Sequence, residues 1–308
     1  MATTKKIQFG SFEWTDIMHP GQAEIEQLRK YNFHPLDLRD CLIPVRRNKI
    51  DTYPTYNFLV TLWPAFDRTT REIVAGEVDV FIGKNFLITL HHEKIPVLQD
   101  IFQLYQTSAE LRGKFVGETP ERLLYELLNR HYSYVFPMVD HLITDCDAIE
   151  KAIFSGDEKK MVSEILIIRR NIIDCRKVMQ AHKNVLKRAI TSFKENHNFK
   201  MKKTDVYFES LIGYTKEIWD QLDNLKERIE ALQETNESQI SFKLSDIMRI
   251  LTIISVITFP VTLTAAIFGM NILNIPLGNN PYGFWIILAM MLAIVASMLG
   301  VFKKKGWL

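Results

Sequence analysis

The residues from Ile250 to Phe302 include no Asp, Glu, Lys, Arg or His, and this uncharged stretch of 53 positions constrains the fold more than any other feature. It holds two apolar segments of 19 residues each, Ile250 to Phe268 and Phe284 to Phe302. At about 1.5 Å rise per residue, each is roughly 28 Å long as a helix, which matches the hydrocarbon core of a bilayer. The segment between them is rich in Gly, Pro and Asn, which favour turns. The sequence therefore predicts two membrane-spanning helices joined by a short loop.

The remainder of the chain has a water-exposed composition. Lys and Arg number 38, Asp and Glu 36, and all but Lys303, Lys304 and Lys305 lie within the first 249 residues. A hairpin buried in a soluble domain is the alternative, but it needs an apolar partner surface that this charged body does not offer. The net charge of +2 argues against a dedicated nucleic-acid binder, so no nucleic-acid partner is expected.

The distribution of basic residues predicts the orientation in the membrane. Lys243 and Arg249 precede the first span, Lys303 to Lys305 follow the second, and the loop between them has no basic residue. Because basic residues stay on the cytoplasmic side, we expect a multi-pass protein of the plasma (inner) membrane with both termini in the cytoplasm. The amino terminus has no apolar run long enough for a signal peptide. The three cysteines are expected to be reduced, inert thiols: Cys41, Cys146 and Cys175.

The part before the membrane is predicted to be an α+β domain followed by long helices. Strands are expected at 56–63, 78–82 and 86–90, and helices at 21–31 and 95–105. One long helix is expected from Thr119 to about Gly156 with a kink at Pro137, and a second from Lys159 to Lys194. The expected domains are 1–116, the cytoplasmic α+β domain; 117–203, long cytoplasmic helices; 204–249, a stalk helix continuous with the pore helix; 250–271, the pore-lining helix; 272–283, an extracellular loop; 284–302, the second membrane helix; and 303–308, a basic cytoplasmic tail.

The stalk helix carries an apolar seam with a seven-residue repeat. One column is Leu211, Ile218, Leu225 and Leu232, and a second is Phe208, Leu222 and Ile229. This seam packs either on the other helices of its own chain or, as a coiled coil, on neighbouring copies, and the sequence leaves both open.

The first span differs from the second in its hydroxyl groups. Positions spaced by three and four place one mixed stripe of small, hydroxylic and soft apolar side chains on a single helix face: Ser245, Met248, Thr252, Ser255, Phe259, Thr262 and Ala266. Such a stripe faces either a pore or a tight helix interface. Since two helices cannot enclose a channel, transport requires several copies around an axis. Pro260 lies within this span and produces either a kink or a free Val256 carbonyl facing water.

Here the chain resembles a known family. Gly269-Met270-Asn271 closes the first of two carboxy-terminal spans, the run Ile250 to Ile254 opens it, Pro260 interrupts it, and a basic Lys-Lys-Lys-Gly-Trp-Leu terminus follows the second. This arrangement is similar to the CorA family of magnesium and divalent-cation channels. The resemblance implies a funnel-like homopentamer in the lipid bilayer, with an α+β cytoplasmic domain, long helices and a two-helix hairpin.

The resemblance also implies roles for individual residues. Gly269, Met270 and Asn271 would form the selectivity entrance, and Ser255 and Thr262 would continue the polar lining. An apolar gate is implied at Met248, Leu251 and Phe259, and a basic ring at Lys303, Lys304 and Lys305. Because Mg²⁺ gives up its water reluctantly, a ring of neutral amide oxygens can hold the hydrated ion without stripping its shell.

Two departures from the family concern regulation. The loop between Asn271 and Tyr282 has no acidic residue, although many members have one there. Members also close when Mg²⁺ occupies acidic sites between cytoplasmic domains, and the matching stalk position here is Ser210. The acidic substitutes are Asp205, Glu209, Asp220 and Asp223, unless these side chains are simply solvated.

The expected function is influx of divalent cations, Mg²⁺ above all, gated by intracellular divalent cations. Transport of Zn²⁺, Co²⁺ or Ni²⁺ by the same fold is an alternative, as is a membrane-tethered metal sensor or scaffold. An enzyme is not expected, because no P-loop, GxGxxG element or catalytic triad is legible. His91 and His92 make a poor joint chelate, since adjacent residues of a strand point to opposite faces. Asp145, Asp147 and Glu150 suggest a cation-binding or solvated face, and the basic run from Arg169 to Arg188 is expected to pair with acidic helices.

Overall fold

The computed structural model describes residues 2–115, 119–196, 199, 205–270, 276 and 280–307. The chain divides into two compact units, Met1–Gln233 and Glu234–Leu308.

A six-stranded mixed sheet is the centre of the first unit. Its strands are β1 (Thr3–Phe9), β2 (Phe12–Met18), β3 (Lys49–Thr52), β4 (Tyr56–Asp67), β5 (Glu72–Gly83) and β6 (Phe86–His91). Their order is β1-β2-β6-β5-β4-β3, and only the β2–β6 pair is parallel. The three predicted strands are confirmed as β4, β5 and β6. β5 and β6 form an antiparallel hairpin in which Gly83 pairs with Phe86.

The helices of the first unit pack on both faces of the sheet. They are α1 (Gln22–Leu28), α2 (Pro35–Asp40), α3 (Pro96–Thr107), α4 (Ala109–Phe115), α5 (Pro120–Phe154), α6 (Glu158–Met179), α7 (His182–Glu195) and the first part of α8 (Asp205–Phe268). A short 3-10 turn, Arg29–Tyr31, extends α1. Thr119 caps α5 by accepting a bond from the Arg122 N–H, and Pro120 occupies its first turn, as the sequence predicted.

The predicted single helix from Lys159 to Lys194 is wrong, because the structure has two helices there. α6 ends at Met179 and α7 begins at His182, with a turn at Gln180 and Ala181. His182 is buried: its Nε2 lies 2.6 Å from the Leu62 carbonyl oxygen, and its Nδ1 lies 2.9 Å from the Tyr132 hydroxyl. These contacts across the core accompany the break, and the local sequence contains neither Gly nor Pro to signal it.

Two apolar cores lie on the two sides of the sheet. The smaller core joins α1 and α2 to the sheet through residues such as Leu28, Phe33 and Phe81. The larger core joins the other face to α3, α5, α6, α7 and α8. β4 is buried from Tyr56 to Pro64, as expected for a strand covered on both faces.

The stalk seam lies inside the larger core of its own chain. Both columns are buried, and Thr215 and Asn236 continue the second column as buried polar residues. The first of the two alternatives, packing on helices of the same chain, is therefore confirmed.

The second unit contains the end of α8 and a further helix, α9 (Gly283–Lys304). Within the described residues, α8 and α9 are the two helices long and apolar enough to cross a membrane. The fold is thus a sheet-containing amino-terminal unit, long helices and a carboxy-terminal pair of apolar helices, as the sequence predicted.

Candidate functional site: the hydroxyl stripe of α8

One face of α8 is shielded within the second unit. Ile253 is buried, and five further residues are half-buried: Ile257, Pro260, Val261, Thr264 and Phe268. At 3.6 residues per turn these six positions share one side of the helix. α9 also has a shielded side, at Gly283, Ile287, Met291, Ile294, Val295, Met298 and Phe302. Both helices belong to the second compact unit.

The predicted stripe lies on the opposite side of α8 and is entirely exposed. None of its seven residues is even half-buried: Ser245, Met248, Thr252, Ser255, Phe259, Thr262 and Ala266. Leu251, at the edge of the stripe, is 53% exposed, and Phe259 is 70% exposed. An uncharged face that the chain leaves uncovered is available for neighbouring copies or for a water-filled path.

The hydroxyl groups of the stripe donate to their own helix. Thr252 Oγ1 donates to the Met248 carbonyl over 2.7 Å, and Ser255 Oγ donates to the Leu251 carbonyl over 2.9 Å. Such back-bonding satisfies the hydroxyl hydrogen and leaves the oxygen lone pairs facing outward. The outward surface of these two side chains is therefore a hydrogen-bond acceptor, which suits the water shell of a cation.

α8 continues through Pro260 to Phe268. Proline has no N–H, so the Val256 carbonyl loses its intrahelical donor. The Pro260 carbonyl itself accepts a bond from Thr264 Oγ1 at 2.8 Å. Thr264 belongs to the shielded face, and Thr262 to the stripe. No hydrogen-bond partner for the Thr262 hydroxyl lies within the described residues.

The end of α8 shows why a glycine follows Phe268. The Gly269 N–H donates to the Ala265 carbonyl at 2.8 Å, and a Cβ added at Gly269 would lie 3.0 Å from that oxygen. The tight approach disfavours any side chain there. Met270 is 52% exposed, while Asn271, the predicted amide of the entrance, lies outside the described residues.

The basic tail follows directly on α9. Lys303 and Lys304 lie in its last turn, Lys305 caps it, and all three are exposed. Trp307 folds back: its backbone N–H donates to the Phe302 carbonyl at 3.0 Å, and its ring stacks on that of Phe302 with the ring centres 5.8 Å apart. Aromatic and basic side chains side by side are typical of a membrane–water interface.

The four acids proposed to bind regulatory metal differ in their surroundings. Asp223 lies 2.6 Å from Arg176, whereas Glu209 and Asp220 are exposed, and the side chain of Asp205 lies outside the described part. Ser210 donates its hydroxyl to the Tyr207 carbonyl at 2.6 Å. No group of three or more His, Cys, Asp or Glu side chains that could hold a metal is found among the described residues.

The acidic face of α5 is occupied by an arginine that the sequence analysis missed. Arg228 on α8 binds Asp147 at 2.7 Å and also Glu150. Two arginines of α6 pair with acids of α8 as predicted, Arg169 with Glu230 at 3.9 Å and Arg176 with Asp223, whereas Arg170 pairs with Glu72 of strand β5 at 2.7 Å. Only the pairing of helices brings these charges together, so no local signal identifies Arg228 as the partner.

The remaining predicted groups lie in the first unit. His91 is buried beside Asp16, at 3.5 Å, and the neighbouring His92 binds the Cys41 carbonyl at 2.8 Å, so the two do not form a joint chelate. The three cysteines are free and buried, and burial raises their pKa above that of an ordinary thiol. They are inert thiols, as predicted.

Comparison with known proteins agrees with this architecture. Residues 9–304 match the family model of the CorA-like Mg²⁺ transporter protein. The cobalt/magnesium transport protein CorA of Thermotoga maritima is 27% identical over 279 residues, which cover 90% of this chain and 78% of that protein. Its counterpart in Methanocaldococcus jannaschii is 26% identical over 307 residues, covering 96% and 91%. The solved complete structure of the CorA magnesium transporter from M. jannaschii matches with a TM-score of 0.81 and 23% identity, over 98% of this chain and 94% of that one.

Proposed function

Because the chain belongs to the CorA-like Mg²⁺ transporter family, we propose that it is a homopentameric channel for divalent cations that carries Mg²⁺ into the cell. It conducts ions and catalyses no reaction. The observation that carries this proposal is the stripe of α8, an uncharged hydroxylic face exposed along its whole length opposite the side shielded within its own unit. Five copies with this face turned toward a common axis enclose a path that no single chain can form.

The stripe suits a hydrated cation. Lone pairs of Thr252 and Ser255 accept hydrogen bonds from water bound to Mg²⁺, so the ion keeps its shell. Asn271 provides a ring of amide oxygens at the entrance, and Met248, Leu251 and Phe259 form an apolar constriction at which the path can close by losing its water. Inward flow needs no other energy source, since two charges gain roughly 4.6 kcal/mol per 100 mV.

The orientation follows from the basic residues. Lys243 and Arg249 precede the hairpin, and Lys303 to Lys305 follow it, which supports the proposal that both termini lie in the cytoplasm. The membrane is proposed to be the inner membrane. Since the three native cysteines are buried, the variant Asn280→Cys provides a specific label. A membrane-impermeant maleimide added to intact cells is expected to react with this cysteine. A lack of reaction would indicate that the loop lies on the cytoplasmic side, opposite to the proposed orientation.

Flux into liposomes tests the function. The parent protein is expected to carry Mg²⁺, and Asn271→Ala is expected to lower that flux at least about tenfold, because the amide ring is lost. Asn274→Ala, in the same loop, is the matched control and should carry ions like the parent. Parallel measurements with Co²⁺, Ni²⁺ and Zn²⁺, with and without a pH gradient, distinguish a magnesium channel from a zinc or proton-coupled transporter. If neither variant changes the flux, the entrance is misassigned; if the parent carries no ion, the hairpin is an anchor for a sensor or scaffold.

Regulation by intracellular Mg²⁺ is proposed to use exposed acids of the stalk. Glu209 and Asp220 are exposed on α8, and Asp205 is the third member. The double variant Glu209→Gln/Asp220→Asn should remain open at Mg²⁺ concentrations that close the parent. Asp223→Asn is expected to respond like the parent, since Asp223 is already paired with Arg176. Unchanged closure in the double variant would assign regulation to other carboxylates.

A further inference from the structure

A groove in the first unit lies between the edge of the sheet and helix α3. It has a volume of about 720 Å³, and its lining residues come from β1, the end of β2, the turn after β6 and α3. Met18 and Phe102 form its apolar part, and the Gln99 amide nitrogen lies 3.9 Å from the Met18 sulfur. A cavity of this size can hold a small organic molecule.

The sheet side of the groove carries basic side chains on three neighbouring strands. Lys5 lies on β1, His19 directly follows β2, and Lys94 comes shortly after β6. The His19 backbone N–H donates to the His91 carbonyl at 2.8 Å, which fixes the position of His19 between the two lysines. The Lys5 ammonium lies 5.6 Å from the centre of the Phe102 ring. Lys94 is exposed and has no hydrogen bond or ion pair with any residue that the structure describes.

The acids of β2 do not neutralise these cations. No carboxylate is among the described residues that line the groove. Glu13 is paired with Lys6 at 2.8 Å, and Asp16 is buried, where it accepts a bond from Thr89 at 2.6 Å. Both carboxylates therefore have partners outside the groove.

The acids close to Lys94 and to α3 also lie outside the lining. Glu93 Oε2 would lie 3.4 Å from a Cβ added at Gly76, so this carboxylate lies over β5, on the side of β6 away from β1. Asp100 is exposed and lies about 100° around α3 from Gln99. Glu110, on α4, is exposed as well. The charged side chains that line the groove are thus all basic.

The helix side of the groove offers amide groups. Gln99, Gln103 and Gln106 recur every three or four residues along α3, so they share the face that lines the groove. The side chains of Gln103 and Gln106 are exposed and have no hydrogen-bond partner among the residues that the structure describes. Because an amide both donates and accepts, this row suits a ligand with several hydroxyl groups.

The positions of the lysines favour a ligand with two anionic groups. β2 separates β1 from β6, so the backbones at Lys5 and Lys94 are at least roughly 10 Å apart. An ammonium is a compact point charge, which suits a phosphate with oxygens pointing in several directions. The lining described for this groove includes no guanidinium, the group that matches a planar carboxylate.

We propose that this groove binds a soluble polyol bisphosphate, a small polyhydroxyl compound with a phosphate at each end. One phosphate pairs with Lys5 and the other with Lys94, His19 donates a hydrogen bond between them, and the row of glutamines bonds the hydroxyl groups. The site lies within the first unit and does not depend on the proposed conduction path.

Three compounds with the same six-carbon chain test this ligand class. Glucitol 1,6-bisphosphate has both phosphates, glucitol 6-phosphate has one, and glucarate has two carboxylates instead. Binding is measured by isothermal calorimetry on the full chain in phosphatidylcholine nanodiscs, without divalent cations and with empty nanodiscs subtracted. The bisphosphate should bind saturably at one site per chain, and the other two compounds at least about tenfold more weakly.

Variants assign the binding to the groove. Lys5→Gln and Lys94→Gln should each weaken the bisphosphate about tenfold, because each removes one charged pair. Lys84→Gln, at an exposed lysine in the turn between β5 and β6, is the matched control and should bind like the parent. Gln103→Glu, which adds a negative charge without changing the size of the side chain, should weaken both phosphates. Thermal denaturation checks that all four variants are as stable as the parent.

A lipid headgroup is the other source of two phosphates. Replacing part of the phosphatidylcholine by cardiolipin, which carries two phosphates, should leave the affinity for the soluble bisphosphate unchanged. A loss of affinity in these nanodiscs would assign the groove to a lipid and overturn the proposal. Absence of saturable binding, equal affinity for the bisphosphate and glucarate, or equal affinity in Lys94→Gln and Lys84→Gln would each overturn it as well.

Discussion

Arg176 on α6 lies 2.6 Å from Asp223 on α8, and the same guanidinium lies 5.0 Å from the centre of the Trp219 ring. This pair joins the stalk to the helix beside it. Asp223 is one of the four acids suggested to bind regulatory metal, and it is already paired with Arg176. It therefore differs from the exposed acids Glu209 and Asp220 as a metal ligand.

We expect Arg176→Gln to lower the free energy of unfolding by about 1 kcal/mol, because an ion pair and a cation–π contact are lost together. Urea denaturation of the full chain in detergent, followed by tryptophan fluorescence, measures the change. Lys177→Gln, an exposed neighbour on α6, is the control and should differ little from the parent. Equal effects of the two variants would show that the Arg176 contacts contribute nothing.

A pair of threonines separates the stripe from the shielded face. Thr262→Val removes a hydroxyl from the stripe and is expected to lower Mg²⁺ flux about tenfold, because one acceptor per subunit is lost from the path. Thr264→Val removes the bond to the Pro260 carbonyl on the opposite face and should change flux by less than about twofold. Liposome flux at equal protein amounts measures both. A larger loss of flux in Thr264→Val than in Thr262→Val would indicate that the face of Thr264, and not the stripe, faces the path.

Two glycines, Gly269 directly after α8 and Gly300 within α9, are expected to respond differently to alanine. Gly269→Ala places a Cβ 3.0 Å from the Ala265 oxygen, so the end of α8 must shift and flux should fall. Gly300→Ala on α9 meets nothing within 4 Å. Since alanine favours a helix over glycine by about 1 kcal/mol, that variant should be as stable as the parent or more stable. Flux and thermal denaturation of both variants check this, and full flux in Gly269→Ala would contradict it.

The free energy of unfolding is expected to decrease as the pH is lowered, because two histidines are buried. Burial lowers the pKa of His131 and of His182 to about 4. Between pH 6.5 and 4 the unfolded chain binds more protons than the folded one, so each histidine lowers the free energy of unfolding as pH falls, by up to about 1.4 kcal/mol per unit. The contribution is constant above pH 6.5.

His131→Phe should flatten this dependence, since it removes one of the two groups. In the parent, the His131 Nδ1 lies 2.7 Å from the Leu127 carbonyl oxygen, and the His131 ring centre lies 4.6 Å from that of Trp63. A phenyl ring at this position keeps most of the packing. Urea midpoints at pH 7.5 and pH 5 measure the slope. His141→Gln, at an exposed position, is the control and should keep the parent slope. An unchanged slope in His131→Phe would locate the acid sensitivity elsewhere.

The local patterns of the chain predicted most of the fold. The strands β4 to β6, the cap of α5 and the two apolar helices each follow from a period, a turn residue or a run of apolar residues within the element itself. The break between Met179 and His182 could not be predicted in this way, because its interactions are with Leu62 and Tyr132, more than 40 positions away. β2 could not be predicted for the same reason, because its parallel partner β6 lies far along the chain.

The stripe could be predicted because helical periodicity is a local property. The spacing of Thr252, Ser255 and Thr262 alone places them on one face of α8. That the opposite face is the shielded one depends on tertiary packing and could not be predicted. The role of Asn271 stays a prediction, since the structure does not describe it. The pairing of Arg228 with Asp147 depends on which helices become neighbours, so it has no signature in one segment.

The bonds of Thr252 and Ser255 to their own backbone have a consequence for ions of the opposite sign. In the proposed path, both hydroxyl hydrogens are turned toward the helix backbone, so these side chains would offer chloride or phosphate no donor to replace the water that such an anion would lose. The proposed path would then discriminate against anions through the direction of two O–H bonds, without a carboxylate whose full negative charge would retain the cation.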